Sequence, residues 1–451
     1  MPATRTRPTH AKSAHTKALT GAMLALAAIG LSGCGDSLPK ISDLNPFAEK
    51  EIPLPGTRKA VLQQEKVHSD AYASTRPMVL PAAHANASWS QPGGVPSNAP
   101  GHLALGSSLK QAWSVNVGTG SSFYGKVTAP PIVYDGKVFA LDAAGQVTAV
   151  SASSGSVIWR ASTTPPNEKD WEGFGGGIAA DGGRIYAATG FGTVVALEAG
   201  SGKKVWEKTL GPPIRVAPTA VAQRVFAITK EGQVFCLSGS DGTELWNFTG
   251  MPERASILAS ASPAVDGDTV VIPYPTGDLV ALRASGGQAV WQETLARTAG
   301  GSAMGAMSDA GRPVIYGGVV YAAGHGGRMI ATTQKSGERL WSLSVASIEQ
   351  PWVSGDSVFV VSTSGSLLAI TRSDGKVRWS TKLGGGSWAG PVLAGNRLWV
   401  ISSKGTLTSV EPTTGKVAGS QELGYTVYVA PVVAGGRLFV LTDSARLLAF
   451  N

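Results

Sequence analysis

The sequence is poor in the two residue types that most often carry reactive or metal-binding chemistry. Cysteine occurs only as Cys34 and Cys236, and the run Val-Phe-Cys-Leu around Cys236 is typical of a buried strand. Of the six histidines, only His325 follows residue 109, and it lies between two glycines in an expected turn. A Ser-His-Asp triad, or a zinc site with several His ligands, needs more than this region offers.

Charge and phosphate-binding motifs are also sparse. The chain has 38 Lys and Arg against 30 Asp and Glu, a formal net charge of +8, without a basic run. This pattern disfavours nucleic-acid binding. No Gly-x-Gly-x-x-Gly opens a helix, and no Walker-type Lys-Ser/Thr follows a glycine-rich stretch.

Long apolar runs are missing too. The longest, at 18–31, has about fourteen residues, which is too few to span a membrane permanently. It follows a basic start whose four Lys and Arg residues, once removed, would reduce the net charge from +8 to +4. It ends in Leu-Ser-Gly-Cys at 31–34, which resembles a lipobox. We therefore predict a lipoprotein signal peptide over 1–33 and acylation of Cys34, with a plain signal peptide as the alternative.

The residues after Cys34 bear on the cellular address. Gly35 follows Cys34, and Asp36 lies one place too late for the known rule that retains lipoproteins at the inner membrane. We expect lipid anchoring at the periplasmic face of the outer membrane. Residues 34–108 are rich in Pro, Ala and Ser and predict a tether. Whether 58–62 and 87–105 pack on the following domain is left open.

From about residue 109 to residue 451 the chain repeats one short module eight times. The first copy shows Gly136, Gly145, Gly155 and Trp159, and the same spacing returns with a period near 43 residues. Short runs rich in Val, Ile and Phe lie between the glycine turns, as in four-stranded antiparallel meanders. We predict an all-β fold, an eight-bladed β-propeller, with each Trp wedged between neighbouring blades.

The end of the repeat predicts how the ring closes. The seventh copy has Gly419 where Trp is expected, and the eighth stops at Asn451 after its third strand. A spare strand at 110–117 carries Trp113 with no module before it. We expect that strand to complete the last blade and remove its unpaired edge.

The string Ala-Leu-Glu-Ala-Gly-Ser-Gly-Lys-Lys-Val-Trp at 196–206 resembles the tryptophan-docking repeat of quinoprotein propellers. Two periplasmic groups share such repeats: dehydrogenases that use pyrroloquinoline quinone, and the BamB family of lipoproteins in the β-barrel assembly machinery. The first would imply adjacent cysteines, calcium ligands and usually a longer chain. The second implies a lipobox, a tether and eight bare blades, which is the pattern present here.

The resemblance to the BamB family implies a non-enzymatic scaffold without cofactor or metal. It would dock on the POTRA domains of BamA and assist unfolded outer-membrane proteins. A quinone-dependent dehydrogenase, or a degenerate relative, is the alternative. Another is a propeller that binds a different envelope component.

Two blade-to-blade connections stand out by their length. Trp246 and Pro263 are 17 positions apart and Trp291 and Pro313 are 22 apart, whereas Trp206 to Pro218, for example, is 12. Long loops on adjacent junctions of a rigid scaffold favour a recognition surface. The resemblance implies that these loops contact BamA, whereas the alternative is that they fold over the edge of the ring. The candidate partner-binding residues are Arg254, Ile257, Leu258, Met307, Ser308, Asp309 and Arg312.

Overall fold

Short apolar runs separated by positive-φ glycines fold into 32 strands in the described part of the chain. The computed structural model describes residues 69–106, 109–170, 172–250, 261–295 and 310–451. All of these belong to one unit, Glu65–Asn451. The only helix among them is α1 (Ala71–Thr75), which Asp70 caps by accepting a hydrogen bond from the Ala73 amide at 2.8 Å.

The strands form eight separate four-stranded antiparallel sheets, which confirms the predicted propeller. In blades 1 to 7, the first strand of each sheet lies nearest the ring axis, and the next three follow outwards in chain order. Blade 1 comprises β2 (Ile132–Tyr134), β3 (Lys137–Leu141), β4 (Gln146–Ser151) and β5 (Val157–Ser162); blade 2 comprises β6 (Gly176–Asp181), β7 (Arg184–Thr189), β8 (Thr193–Glu198) and β9 (Lys204–Thr209); blade 3 comprises β10 (Thr219–Val221), β11 (Arg224–Ile228), β12 (Gln233–Ser238) and β13 (Glu244–Thr249); blade 4 comprises β14 (Ala264–Asp266), β15 (Thr269–Pro273), β16 (Asp278–Arg283) and β17 (Ala289–Thr294).

The remaining blades repeat this order, and the last one is completed from the start of the ring. Blade 5 comprises β18 (Val314–Tyr316), β19 (Val319–Ala323), β20 (Met329–Thr333) and β21 (Arg339–Leu343); blade 6 comprises β22 (Trp352–Ser354), β23 (Ser357–Val361), β24 (Ser366–Thr371) and β25 (Val377–Lys382); blade 7 comprises β26 (Trp388–Ala394), β27 (Arg397–Ser402), β28 (Thr406–Val410) and β29 (Val417–Glu422); blade 8 comprises β30 (Val432–Ala434), β31 (Arg437–Leu441), β32 (Arg446–Phe450) and β1 (Gln111–Asn116).

The predicted closure is confirmed in blade 8. β1 pairs antiparallel with β32, and Val115 lies opposite Leu447. The pairing extends to Lys110 and Asn451, whose backbone amides each donate to the other's carbonyl. The N-terminal strand thus covers an edge that β32 would otherwise expose.

Each tryptophan of the repeat wedges between two blades, as the sequence predicts. Trp159 of blade 1 packs beside Phe139 of its own sheet and donates from Nε1 to the Ala199 carbonyl of blade 2 at 3.1 Å. A Cβ on Gly202 would lie 2.6 Å from the Trp159 ring, so only glycine fits there, at φ +74°. Seven junctions share the contact: Trp113 on Gly155, Trp159 on Gly202, Trp206 on Gly242, Trp246 on Gly287, Trp291 on Gly337, Trp341 on Gly375 and Trp379 on Gly415.

Residues 86–103, here called the axial segment, cross one end of the ring axis. Their backbone and side chains reach the innermost strand of every blade in circular order. The contacts join Asn86 to Val433, Trp89 to Val133, Ser90 to Ala180, Gln91 to Ala220, Pro96 to Val265, Ser97 to Ile315, Gly101 to Trp352 and Leu103 to Leu393. The portion at 87–105, for which packing was left open, therefore lies against the ring.

Side-chain amides fix the axial segment. Gln91 is 1% exposed, and its Nε2 donates to the carbonyls of Ala180 and Ala220 while its Oε1 accepts from the Ala220 amide. Asn98, also buried, donates to the Pro313 carbonyl at 2.8 Å. Buried amides are stable when all their polar atoms are paired, and these contacts join strands of different blades.

Candidate functional site

The two ends of the ring axis differ in what the topology places there. The axial segment lies at the end where innermost strands turn into second strands. At the other end, called here the connection face, the outer strand of each blade passes to the inner strand of the next. Both long connections of the sequence emerge on this face, because they join β13 to β14 and β17 to β18.

A cavity of about 440 Å³ opens on the connection face, and we call it the axial pocket. It is lined by the connections that enter blades 1, 5, 6, 7 and 8 and by two hairpin turns. Lys126, Arg312, Glu349 and Tyr428 come from four different connections, and Trp388 is the first residue of β26. Pockets of this size with few convergent polar groups are the usual form of a binding site.

Arg312 and Glu349 set the electrostatics of this pocket. Arg312 donates from Nε to Ser262 Oγ at 2.9 Å and from Nη1 to Gln350 Oε1 at 3.2 Å. Burial raises the pKa of the Glu349 carboxyl to about 7, although the Gly390 amide at 3.2 Å and the positive charge of Arg312 both oppose this rise. Burial also lowers the pKa of Arg312 to about 10, and Glu349 opposes that change. Arg312 thus contributes a cation to the pocket, and Glu349 contributes an acid that is readily protonated near neutral pH.

Of the predicted partner-binding residues, Arg312 alone lies in the described part of the chain, on the wall of the axial pocket. The other six, Arg254, Ile257, Leu258, Met307, Ser308 and Asp309, lie outside the described residues, as do Cys34 and the segment 58–62. The partner-binding role of all seven stays a prediction.

Cys236 and His325 have structural settings that need no functional explanation. Cys236 is fully buried, and burial raises the pKa of its thiol to about 12, so it packs as an apolar residue. His325 is exposed on the turn between β19 and β20 and reaches the rim of the axial pocket. Among the residues that the structure describes, no three His, Cys, Asp or Glu side chains converge as a metal site would require.

Sequence reasoning did not single out Lys126, Glu349, Trp388, Tyr428 or Asp443 as pocket residues. They come from the connections entering blades 1, 6 and 8, from the start of β26 in blade 7 and from a hairpin of blade 8, at unrelated positions of the module. The connections are the feature of the sequence that indicates pocket residues, because every connection from an outer strand to the next inner strand ends beside the axis on one face. No helix within the described ranges has the length and apolarity needed to cross a membrane.

Comparison with known proteins agrees with this architecture. The family model described as outer membrane protein assembly factor BamB matches residues 104–172, 143–381 and 379–451. A protein of that name from Vibrio cholerae is 36% identical over 239 residues, and the one from Escherichia coli K12 is 26% identical over 282 residues. These two matches cover 53% and 52% of this chain, and each spans 61% of the relative, which is under two thirds of its length.

Solved structures show the same fold at low identity. The crystal structure of BamB from Moraxella catarrhalis superposes with a TM-score of 0.67 at 21% identity, over 76% of this chain and 100% of that chain. A quinohemoprotein alcohol dehydrogenase from Comamonas testosteroni gives a TM-score of 0.66 at 15% identity, over 82% of this chain and 81% of that one. Fold similarity alone therefore does not separate assembly factors from dehydrogenases.

Eight four-stranded blades, docked by tryptophan at seven of their junctions, define the class as a quinoprotein-like repeat β-propeller. Within that class, the family match extends over nearly all of the ring. The chain belongs to the outer membrane protein assembly factor BamB family.

Proposed function

We propose that this chain is a non-enzymatic scaffold of outer-membrane β-barrel assembly that docks on the POTRA domains of BamA and assists unfolded outer-membrane proteins. The observation that carries the proposal is the family match over 104–451. The relatives it resembles are named outer membrane protein assembly factors. We further propose that acylation of Cys34 holds the ring at the periplasmic face of the outer membrane.

The connection face supports a docking role. Both long connections leave the ring there, on the adjacent junctions between blades 3 and 4 and between blades 4 and 5. Ser262 and Arg312 stand at the ends of these two connections and are joined by a hydrogen bond of 2.9 Å. The two connections are thus tied to each other where they enter blades 4 and 5, and long connections on a rigid scaffold favour recognition.

A direct binding assay tests the docking proposal. The full chain, begun at Cys34, is titrated with purified POTRA domains of BamA from the same organism. We expect saturable binding that Arg254→Glu combined with Leu258→Glu weakens at least tenfold, because interface anchors of this kind carry much of the binding energy. Unchanged binding by this double variant would show that the docking site lies elsewhere.

A matched control and a parallel ligand complete the experiment. Arg283→Glu with Leu245→Glu makes the same chemical changes at exposed residues toward the opposite face, and it should leave the affinity unaltered. Pyrroloquinoline quinone with calcium is titrated in a separate arm. Quinone uptake without POTRA binding would reverse the assignment in favour of a dehydrogenase or its degenerate relative.

A further inference from the structure

The axial pocket is lined by large apolar side chains that the fold leaves partly open to solvent. Tyr428 is 57% exposed and Ile348 is 49% exposed, and both contribute to its wall. The same connection that supplies Lys126 also carries Phe123 and Tyr124, which are 93% and 59% exposed and touch edge to face. Exposed aromatic groups beside a pocket are typical of a surface that binds an apolar partner.

Two polar atoms of the pocket residues have no partner. The indole Nε1 of Trp388 and the carboxylate Oδ1 of Asp443 are buried without a hydrogen bond in the described part of the chain. One is a donor and the other is an acceptor, and both residues line the axial pocket. A buried polar atom without a partner costs free energy, which a ligand can recover once the Trp388 and Asp443 side chains turn these atoms toward the cavity. A peptide group offers both complements, a carbonyl for Trp388 and an amide for Asp443.

The far side of the pocket is closed to a passing chain. Gln350 lines the pocket, and its Nε2 donates to the carbonyls of Gly93 and Asn98 in the axial segment. Because the axial segment contacts all eight innermost strands, it blocks the opposite end of the axis. An occupant therefore enters from the connection face, and a side chain can insert where a polypeptide cannot thread through.

Charge favours a neutral, dipolar occupant. Lys126 and Arg312 face Asp443 and the readily protonated Glu349 around the same cavity, so neither a simple anion nor a simple cation finds a site of one sign. A volume of about 440 Å³ accommodates one large side chain together with the adjacent backbone.

We propose that the axial pocket binds an extended segment of unfolded polypeptide, with one large apolar side chain inserted and the adjoining peptide groups paired to Trp388 Nε1 and Asp443 Oδ1. This proposal rests on the proposed function, because the natural occupant of the pocket would be an unfolded outer-membrane protein. Arg312, on the pocket wall, is also among the residues predicted to contact the POTRA domains, so the variants that test the pocket avoid it.

Calorimetric titration of the full chain with a capped peptide tests this assignment. The probe is a heptapeptide of glycine and threonine with a central phenylalanine, and the matched peptide has alanine at the centre. We expect saturable binding of the first and at least tenfold weaker binding of the second. Equal affinity for both peptides, or no binding of either, would overturn the proposal.

Variants of the pocket locate the peptide. Ile348→Glu should weaken binding about tenfold, because it places a charge in the path of the apolar side chain. Leu340→Glu is the matched control, since Leu340 is equally exposed at 49% but lies on the outer strand β21. Trp388→Phe keeps an aromatic ring and removes only the unpartnered N–H, so it should weaken binding several-fold without lowering the unfolding midpoint. Peptide affinity that survives both pocket substitutions would refute the site.

The same variants separate this proposal from docking on BamA. Ile348→Glu and Trp388→Phe should retain POTRA binding, whereas Arg254→Glu with Leu258→Glu should retain peptide binding. If the wild-type chain binds the peptide through these residues but not the POTRA domains, the pocket stands and the proposed docking fails. If it binds the POTRA domains but not the peptide, the docking stands and the pocket proposal fails.

Discussion

At the rim of the ring, seven junctions repeat one contact, whereas around the axis each blade presents a different side chain. The rim contact is a Trp ring lying on a glycine, with the indole N–H bonded to a carbonyl of the next blade. At the axis, Arg312 comes from the connection to blade 5, Glu349 from that to blade 6 and Trp388 from the first position of β26 in blade 7. The repeated positions of the module carry the contact that stabilises every junction. The side chains that line the pocket occur once each, at positions that the module does not repeat.

Each residue at the rim contact should contribute more to the free energy of unfolding than a residue at the axis. Trp159→Ala is the variant with the largest expected effect. Trp159 is 9% exposed and contacts both Phe139 and Gly202. Its removal leaves a cavity between two blades and should lower the free energy of unfolding by about 3–5 kcal/mol. The measurement is urea unfolding followed by circular dichroism. A loss below about 1 kcal/mol, as typical of surface changes, would mean that the docking contact does not hold the blades together.

Glycine substitutions separate the tryptophan contact from backbone strain. Gly202 and Gly183 have similar φ values of +74° and +80°, but only Gly202 faces a Trp ring. Gly183→Ala should cost about 1–2 kcal/mol, the usual penalty of a left-handed residue with a Cβ. Gly202→Ala should cost about 2–4 kcal/mol, because the new methyl also displaces Trp159. Equal losses in thermal unfolding would show that the contact at Gly202 contributes nothing beyond backbone conformation.

Gln91→Ala tests how much the axial segment contributes to the free energy of unfolding. This change leaves the Ala180 and Ala220 carbonyls and the Ala220 amide without their side-chain partner. We expect a loss of about 2 kcal/mol in the free energy of unfolding, since unpaired buried groups cost about 1–3 kcal/mol. Gln421→Ala on the exposed strand β29 is the control and should stay within about 0.5 kcal/mol. A Gln91→Ala loss larger than that of Trp159→Ala would reverse the comparison between rim and axis.

Stability should also depend on pH through Glu349 at the axis. Its pKa is about 7 in the folded protein, above the usual 4.5, so the folded state holds the proton more tightly than the unfolded state. This contribution is fully present below about pH 4.5 and is lost as the pH rises through about 7. We expect it to amount to about 1–2 kcal/mol, less than the full shift because the carboxyl is partly exposed. Glu349→Gln should remove this slope in urea unfolding between pH 5 and pH 8, and an unchanged slope would assign it to another group.

The difference between rim and axis also explains how far the sequence could predict the structure. Glycine and tryptophan spacing predicted eight blades, the docking role of Trp159 and its equivalents, and the pairing of β1 with β32, because each depends on a local pattern repeated along the chain. The axial pocket could not be predicted in this way. Lys126 and Asp443 are over 300 positions apart and meet only after the ring has closed. Partner-binding roles remain predictions, because they depend on a second protein.

The smallest expected effect concerns the one junction that breaks the rule, where Gly419 replaces the tryptophan. The turn that would receive an indole lies between the third and fourth strands of the next blade. In blade 8 these strands are β32 and β1, which are paired through Lys110 and Asn451 and have no connecting glycine turn between them. A tryptophan at position 419 would therefore find neither the glycine surface nor the carbonyl acceptor that the other seven junctions provide. Gly419→Trp should change the free energy of unfolding by less than about 0.5 kcal/mol, as for other exposed positions. A gain of about 2 kcal/mol or more, as expected for burial of a large side chain, would show that the ring can form the contact without the turn.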